Sequence, residues 1–69
     1  MENKTYKIIE LVGTSEESYD AAIKNALEQA SKSLSALSWF EVVQMRGGIK
    51  DGKLDEYQVI LKVGFKFID

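Results

Sequence analysis

The chain contains no cysteine, no histidine and no proline. Without cysteine there is neither a disulfide staple nor thiolate chemistry, and a reducing compartment is compatible. Without histidine the commonest metal ligand is missing, and so is the usual general base near neutral pH. The net charge of -2 comes from interspersed Lys and Glu rather than clusters. That argues against nucleic acid, which needs a basic patch. No apolar run approaches the ~20 residues of a membrane span, and Met1 to Tyr6 has no apolar signal region. The expectation is a cytoplasmic protein with no nucleic-acid or membrane partner.

What is present is a 69-residue chain with 45% hydrophobic residues, read as one domain over 1–69. A chain of this size buries only about 60% of its unfolded surface. Small domains usually need disulfides, a metal or oligomerisation. Oligomerisation is the staple that remains.

Tyr6 to Val12 is rich in β-branched residues and ends at Gly13, which reads as a strand. Ile9 and Leu11 lie on one side, with Tyr6, Ile8 and Val12 on the other. The segment from Gly13 to Ser18 reads as a turn, with Thr14 and Glu17 as a capping box and Ser18 as a second N-cap candidate. From Tyr19 through Ala22, Ile23, Ala26, Leu27, Ala30 and Leu34 to Leu37, apolar residues recur at three- and four-residue steps, a single helical stripe. Lys24, Asn25, Glu28, Gln29 and Lys32 fall on the opposite, solvated face. Fraying is expected from about Ser35. The polar face is not basic, which argues against a membrane-surface helix.

Residues 39–46 and 54–68 read as strands joined at Asp51-Gly52, a strong hairpin signal. A two-residue turn there makes facing residue numbers sum to 103. Glu41 then faces Lys62, Phe40 faces Val63, Val42 faces Leu61 and Trp39 faces Gly64. These are sensible cross-strand pairs, and a one-residue slip would mix the faces. Gly47-Gly48 is a candidate bulge. In the last strand Tyr57, Val59, Leu61, Val63, Phe65 and Phe67 form one apolar face, expected under the helix, and Phe40 and Val42 join it. Trp39, Glu41, Val43 and Met45 fall on the face turned away, together with Ile60 and Ile68. The fold expected is α+β, a β-α-β-β chain whose one helix covers one side of the sheet. An apolar patch left exposed marks an interface or a binding site.

The acidic residues Glu10, Glu16, Glu17, Glu41, Asp51, Asp55 and Glu56 form no evident catalytic pair, and no glycine pair leads into a helix as a phosphate loop would. Catalysis is therefore not expected. Trp39 is the sharper signal. With a glycine opposite, one indole face is open to a planar partner, and stacking adds ~0.5–1.5 kcal/mol beyond area burial. Gln58 offers donors and an acceptor to an imide-like edge, and Arg46 can hold a phosphate. The plainer reading has Trp39 filling a subunit interface, Gln58 solvated and Arg46 paired with an acidic neighbour.

Tyr6 to Ser15, Trp39-Phe40-Glu41-Val42-Val43, and Glu56-Tyr57-Gln58-Val59 followed by Val63-Gly64-Phe65 together resemble the dodecins, small flavin-binding proteins. The resemblance covers nearly the whole chain. It implies a three-stranded antiparallel sheet partly wrapping one helix, and a hollow homododecamer holding stacked flavin pairs near its two-fold axes. It assigns Trp39 to stacking, Gln58 to the isoalloxazine edge and Arg46 to the FMN phosphate, with Ser38 as a weaker candidate. The ligand implied is FMN or another flavin such as riboflavin or lumichrome. Some members also bind coenzyme A, for which Tyr6 is the candidate. Function is then flavin storage and photoprotection without catalysis. The alternative is an oligomeric scaffold whose outer sheet face is purely subunit interface, with no flavin or with a coenzyme A-type ligand.

In the 103 register Gln58 faces Met45, six residues and roughly 20 Å from Trp39. Trp39 and Gln58 are therefore expected to reach one flavin from different subunits. Arg46 has core-side parity in that register, so its role requires a bulge or twist.

Overall fold

A computed structural model describes residues 3–67. Four elements follow one another: β1 (Tyr6–Ser15), α1 (Tyr19–Ser33), β2 (Leu37–Lys50) and β3 (Lys53–Lys66). The strands form one antiparallel sheet in the order β1-β3-β2. The β-α-β-β order and the antiparallel sheet agree with the sequence expectation.

Asp51 (φ 52°) and Gly52 (φ 75°) both adopt positive φ. That is the signature of a type I′ turn, whose twist matches the flanking strands. Lys50 accordingly pairs with Lys53. At the far end the predicted partners also hold: Trp39 with Gly64, Phe40 with Val63, Glu41 with Lys62 and Val42 with Leu61.

Between these two ends the register differs from the expectation. A shift between Val42 and Gln44 leaves Val43 as an extra residue on β2, and the Gly48/Ile49 shift leaves Asp55 extra on β3. The two irregularities compensate, so the segment between them is displaced by one residue. Gln58 therefore pairs with Arg46 rather than Met45, and Met45 pairs with Val59 on the helix side. Met45 does not belong to the outer face. The second irregularity lies beside the Gly47-Gly48 site expected for a bulge; the first, at Val43, has no glycine to announce it.

Helix α1 begins at Ser18, whose Oγ accepts from the Ala21 N–H at 3.0 Å. That satisfies one of the unpaired amides of the first turn. Thr14 is not a cap residue. It lies in β1, which runs through Gly13 to Ser15 and leaves only a short connection to the helix. The helix ends at the Leu34 cap, and Leu37 opens β2 instead of closing the helical stripe.

The core is small: Ala22 and Ala26 of α1 pack on Val59, Leu61 and Val63 of β3, flanked by Ile9, Leu11, Tyr19, Ile23, Leu27 and Leu37. Gly13 permits the close helix–strand approach. A Cβ there would lie less than 3.0 Å from the Ala22 carbonyl oxygen and 2.8 Å from the Ala26 Cβ. Tyr19 and Tyr57 close one end of the core edge-to-face, with centroids 4.9 Å apart.

The helix lies over β1 and β3 and stops short of β2. Phe40 and Val42, expected in the core, are on the correct side of the sheet but exposed. Phe65 is half-buried and Phe67, past the end of β3, is exposed. Ile68 lies outside the described residues. The chain presents 5262 Å² of accessible surface, against about 4,400 Å² for a compact monomer of its mass. The molecule is 55 Å long and 14 Å across its shortest axis.

Candidate functional site

The outer face, turned away from α1, is read directly from the paired rows. From one end it runs Ile8-Gly64-Trp39, then Glu10-Lys62-Glu41, then Val12-Ile60-Gln44, then Thr14-Gln58-Arg46. Two apolar rows thus alternate with charged or polar ones, and no helix covers them. Ile8, Val12 and Trp39 are all exposed.

Trp39 lies across Gly64. A Cβ on Gly64 would fall less than 3.0 Å from Cε2, Cζ2 and Cδ2 of the indole. The ring rests on bare backbone, and Gly64 is buried beneath it. The side chain nevertheless remains 42% exposed, so the face opposite Gly64 is open. Ser38, next to it, falls at a register irregularity between Leu37 and Trp39, and its hydroxyl donates to the Ala36 carbonyl at 3.1 Å. Ala36 has positive φ (59°), a conformation uncommon outside glycine. Its carbonyl also accepts from the Lys66 N–H at 3.1 Å. This corner sets where β2 starts, and so where Trp39 meets β3.

At the other end, Arg46 stands on the outer face because of the bulge at Val43; strict alternation would have turned it to the helix side. Its Nε–H donates to Gln58 Oε1 at 3.0 Å, and Gln58 Nε2 donates to Glu56 Oε1 at 2.8 Å. The bond to Gln58 uses Nε alone, which leaves the Nη groups of the guanidinium as donors for an anion. Glu56 was not singled out by sequence reasoning as a site residue. Its i, i+2 spacing from Gln58 was the available signal, because it places both on one strand face.

Gln58 is six residues along β3 from Gly64, roughly 20 Å at the usual rise. One chain therefore holds the indole and the Arg46-Gln58-Glu56 group at opposite ends of the same face. Tyr6, exposed at the start of β1 and paired with Lys66, lies near the Trp39 end. Among the described residues no group of acidic side chains is arranged to hold a metal ion, and no helix is long and apolar enough to cross a membrane.

The family model for dodecin matches residues 5–67. The chain belongs to the dodecin family. It is 56% identical over 63 residues to the dodecin of Thermus thermophilus, with 91% of each chain covered. Among solved structures, the dodecin of Streptomyces coelicolor superposes with a TM-score of 0.95 at 48% identity, covering 100% of this chain and 99% of that one. The dodecin of Streptomyces davaonensis gives 0.93 at 46% identity, covering 99% and 100%. The β-α-β-β arrangement described above is thus the dodecin fold.

Proposed function

We propose that this chain is a non-enzymatic, cytoplasmic flavin-binding protein that assembles as a homododecamer, holding FMN or a related flavin such as riboflavin or lumichrome at its subunit interfaces. The observation that carries the reading is the indole of Trp39, backed by Gly64 on one side and open on the other. A bare glycine under an exposed indole is a cradle for a flat heterocycle, and among the described residues no other aromatic of the outer face rests on a glycine in this way. Gln58 meets the polar edge of the ring and Arg46 its phosphate, when there is one. Because roughly 20 Å separates Trp39 from Gln58 within one chain, the two reach one ligand from different subunits.

A bound flavin supplies a light-excitable, electron-accepting ring. Trp39 stacked on it is an electron donor at contact distance, and this underlies storage with quenching rather than catalysis. Oligomerisation is supported by the exposed apolar residues of β2, Phe40, Val42, Val43 and Met45 among them, and by the excess of accessible surface. Tyr6 is the contact offered to a coenzyme A-type second ligand near the Trp39 end.

Titrating the protein into FMN tests the reading. Flavin fluorescence is expected to fall to near zero at saturation, and Trp39→Ala is expected to prevent this. Undiminished fluorescence at saturating wild-type protein favours the pure scaffold instead.

A further inference from the structure

We propose that Glu56 is a positioning residue that fixes which way round the Gln58 amide faces its ligand, an inference that rests on the flavin reading above. Gln58 Nε2 donates to Glu56 Oε1 at 2.8 Å while Gln58 Oε1 accepts from Arg46 Nε at 3.0 Å. An ionised carboxylate only accepts and a guanidinium only donates. The amide therefore has one orientation; turned over, it would set NH2 against guanidinium and carbonyl against carboxylate.

Each amide atom keeps one hydrogen-bonding position unused: the second Nε2–H and the second lone pair of Oε1. Together they form an ordered donor–acceptor edge. An imide edge, with its N–H beside a carbonyl oxygen, is complementary to it. Gly48, paired with Glu56, keeps the space clear, since a Cβ there would stand 3.3 Å from Glu56 Cγ and 3.7 Å from Gln58 Nε2. Glu56 and Gln58 are both half-buried whereas Arg46 is exposed, so water competes less for the Gln58–Glu56 bond than for the one to Arg46. Glu56 touches no ligand atom in this arrangement. It acts through Gln58, and its effect is confined to ligands that use the imide N–H.

The test compares riboflavin with N3-methylriboflavin, which cannot donate from that position, by fluorescence quenching against wild type, Glu56→Ala and Glu56→Gln. Glu56→Ala is expected to raise the riboflavin Kd about tenfold, in line with a hydrogen bond to a charged group. The N3-methyl compound should change less than about twofold, because the donor the clamp serves is already gone. Glu56→Gln, which keeps an acceptor oxygen, should recover most of the riboflavin affinity. Circular dichroism and size exclusion establish that each variant folds and assembles. Should Glu56→Ala not assemble, Glu56→Asp, one methylene short, takes its place in the same comparison. An unchanged riboflavin Kd, an equal loss for both ligands, or no recovery in Glu56→Gln would overturn the proposal while leaving flavin binding intact. Failure of wild type to bind either compound would instead overturn the flavin reading, and this assignment with it.

Discussion

The indole of Trp39 occupies the space that a side chain on Gly64 would need. A Cβ at that position falls less than 3.0 Å from three indole atoms, on a residue that is itself buried. The pairing is thus both a strand register and a platform. Gly64→Ala should lift the ring off the sheet without removing it. Flavin affinity is expected to fall tenfold or more, about 1.4 kcal/mol, with the sheet retained by circular dichroism. Unaltered FMN quenching in Gly64→Ala would show that the glycine is not needed beneath the ring.

Gly13 is a second close approach, with a structural consequence instead. Here the obstacle to a Cβ is the backbone carbonyl of Ala22, which cannot swing aside. Overpacking of this kind costs about 1–3 kcal/mol and sometimes more. Gly13→Ala should push α1 away from β1, and loss of cooperative thermal unfolding is the readout.

Gly52 is different again. Nothing lies within 4 Å of a Cβ built there, and φ is 75°, so the penalty is backbone conformation alone. Gly52→Ala is expected to destabilise by about 1 kcal/mol. Urea unfolding should be compared at a fixed protomer concentration, since the stability of an assembly depends on it. Flavin binding should change little, because a Cβ on Gly52 meets no atom of the Arg46-Gln58-Glu56 group or of Trp39 within 4 Å.

Arg46 offers a ligand comparison. With Nε engaged by Gln58, the Nη groups remain for phosphate, and exposed charge pairs are screened by salt. FMN should therefore bind more tightly than riboflavin at low ionic strength, the margin shrinking as salt is raised. Arg46→Ala should abolish the margin. A salt-independent preference measured by titration would count against a phosphate role.

The elements were legible from local chemistry. The Asp51-Gly52 pair dictates a positive-φ turn, the turn dictates the register, and the register places Trp39 opposite Gly64. The stripe from Tyr19 to Leu34 dictates an amphipathic helix, and alternation in β3 names Val59, Leu61 and Val63 as core. Each of these depends on residues close in sequence or on a strict period.

Three features were decided only in the folded chain. The extra residues Val43 and Asp55 look like ordinary strand residues, yet their bulges move Arg46 to the outer face and Met45 off it. A bulge bends its strand and increases the local twist, and neither effect is written in an alternation pattern. How far α1 reaches across the sheet is likewise set by Gly13 and the alanine face, which hold it over β1 and β3 and leave Phe40 and Val42 uncovered. The Arg46-Gln58-Glu56 relay follows from the bulges, since it forms only when the shifted register brings Arg46 opposite Gln58. For Trp39 the sequence determined the partner and the face, because the two one-residue shifts between the turn and Trp39 cancel and the count from the turn holds again there. Only the tertiary structure decided that its ring lies over Gly64, because that depends on side-chain packing rather than on parity.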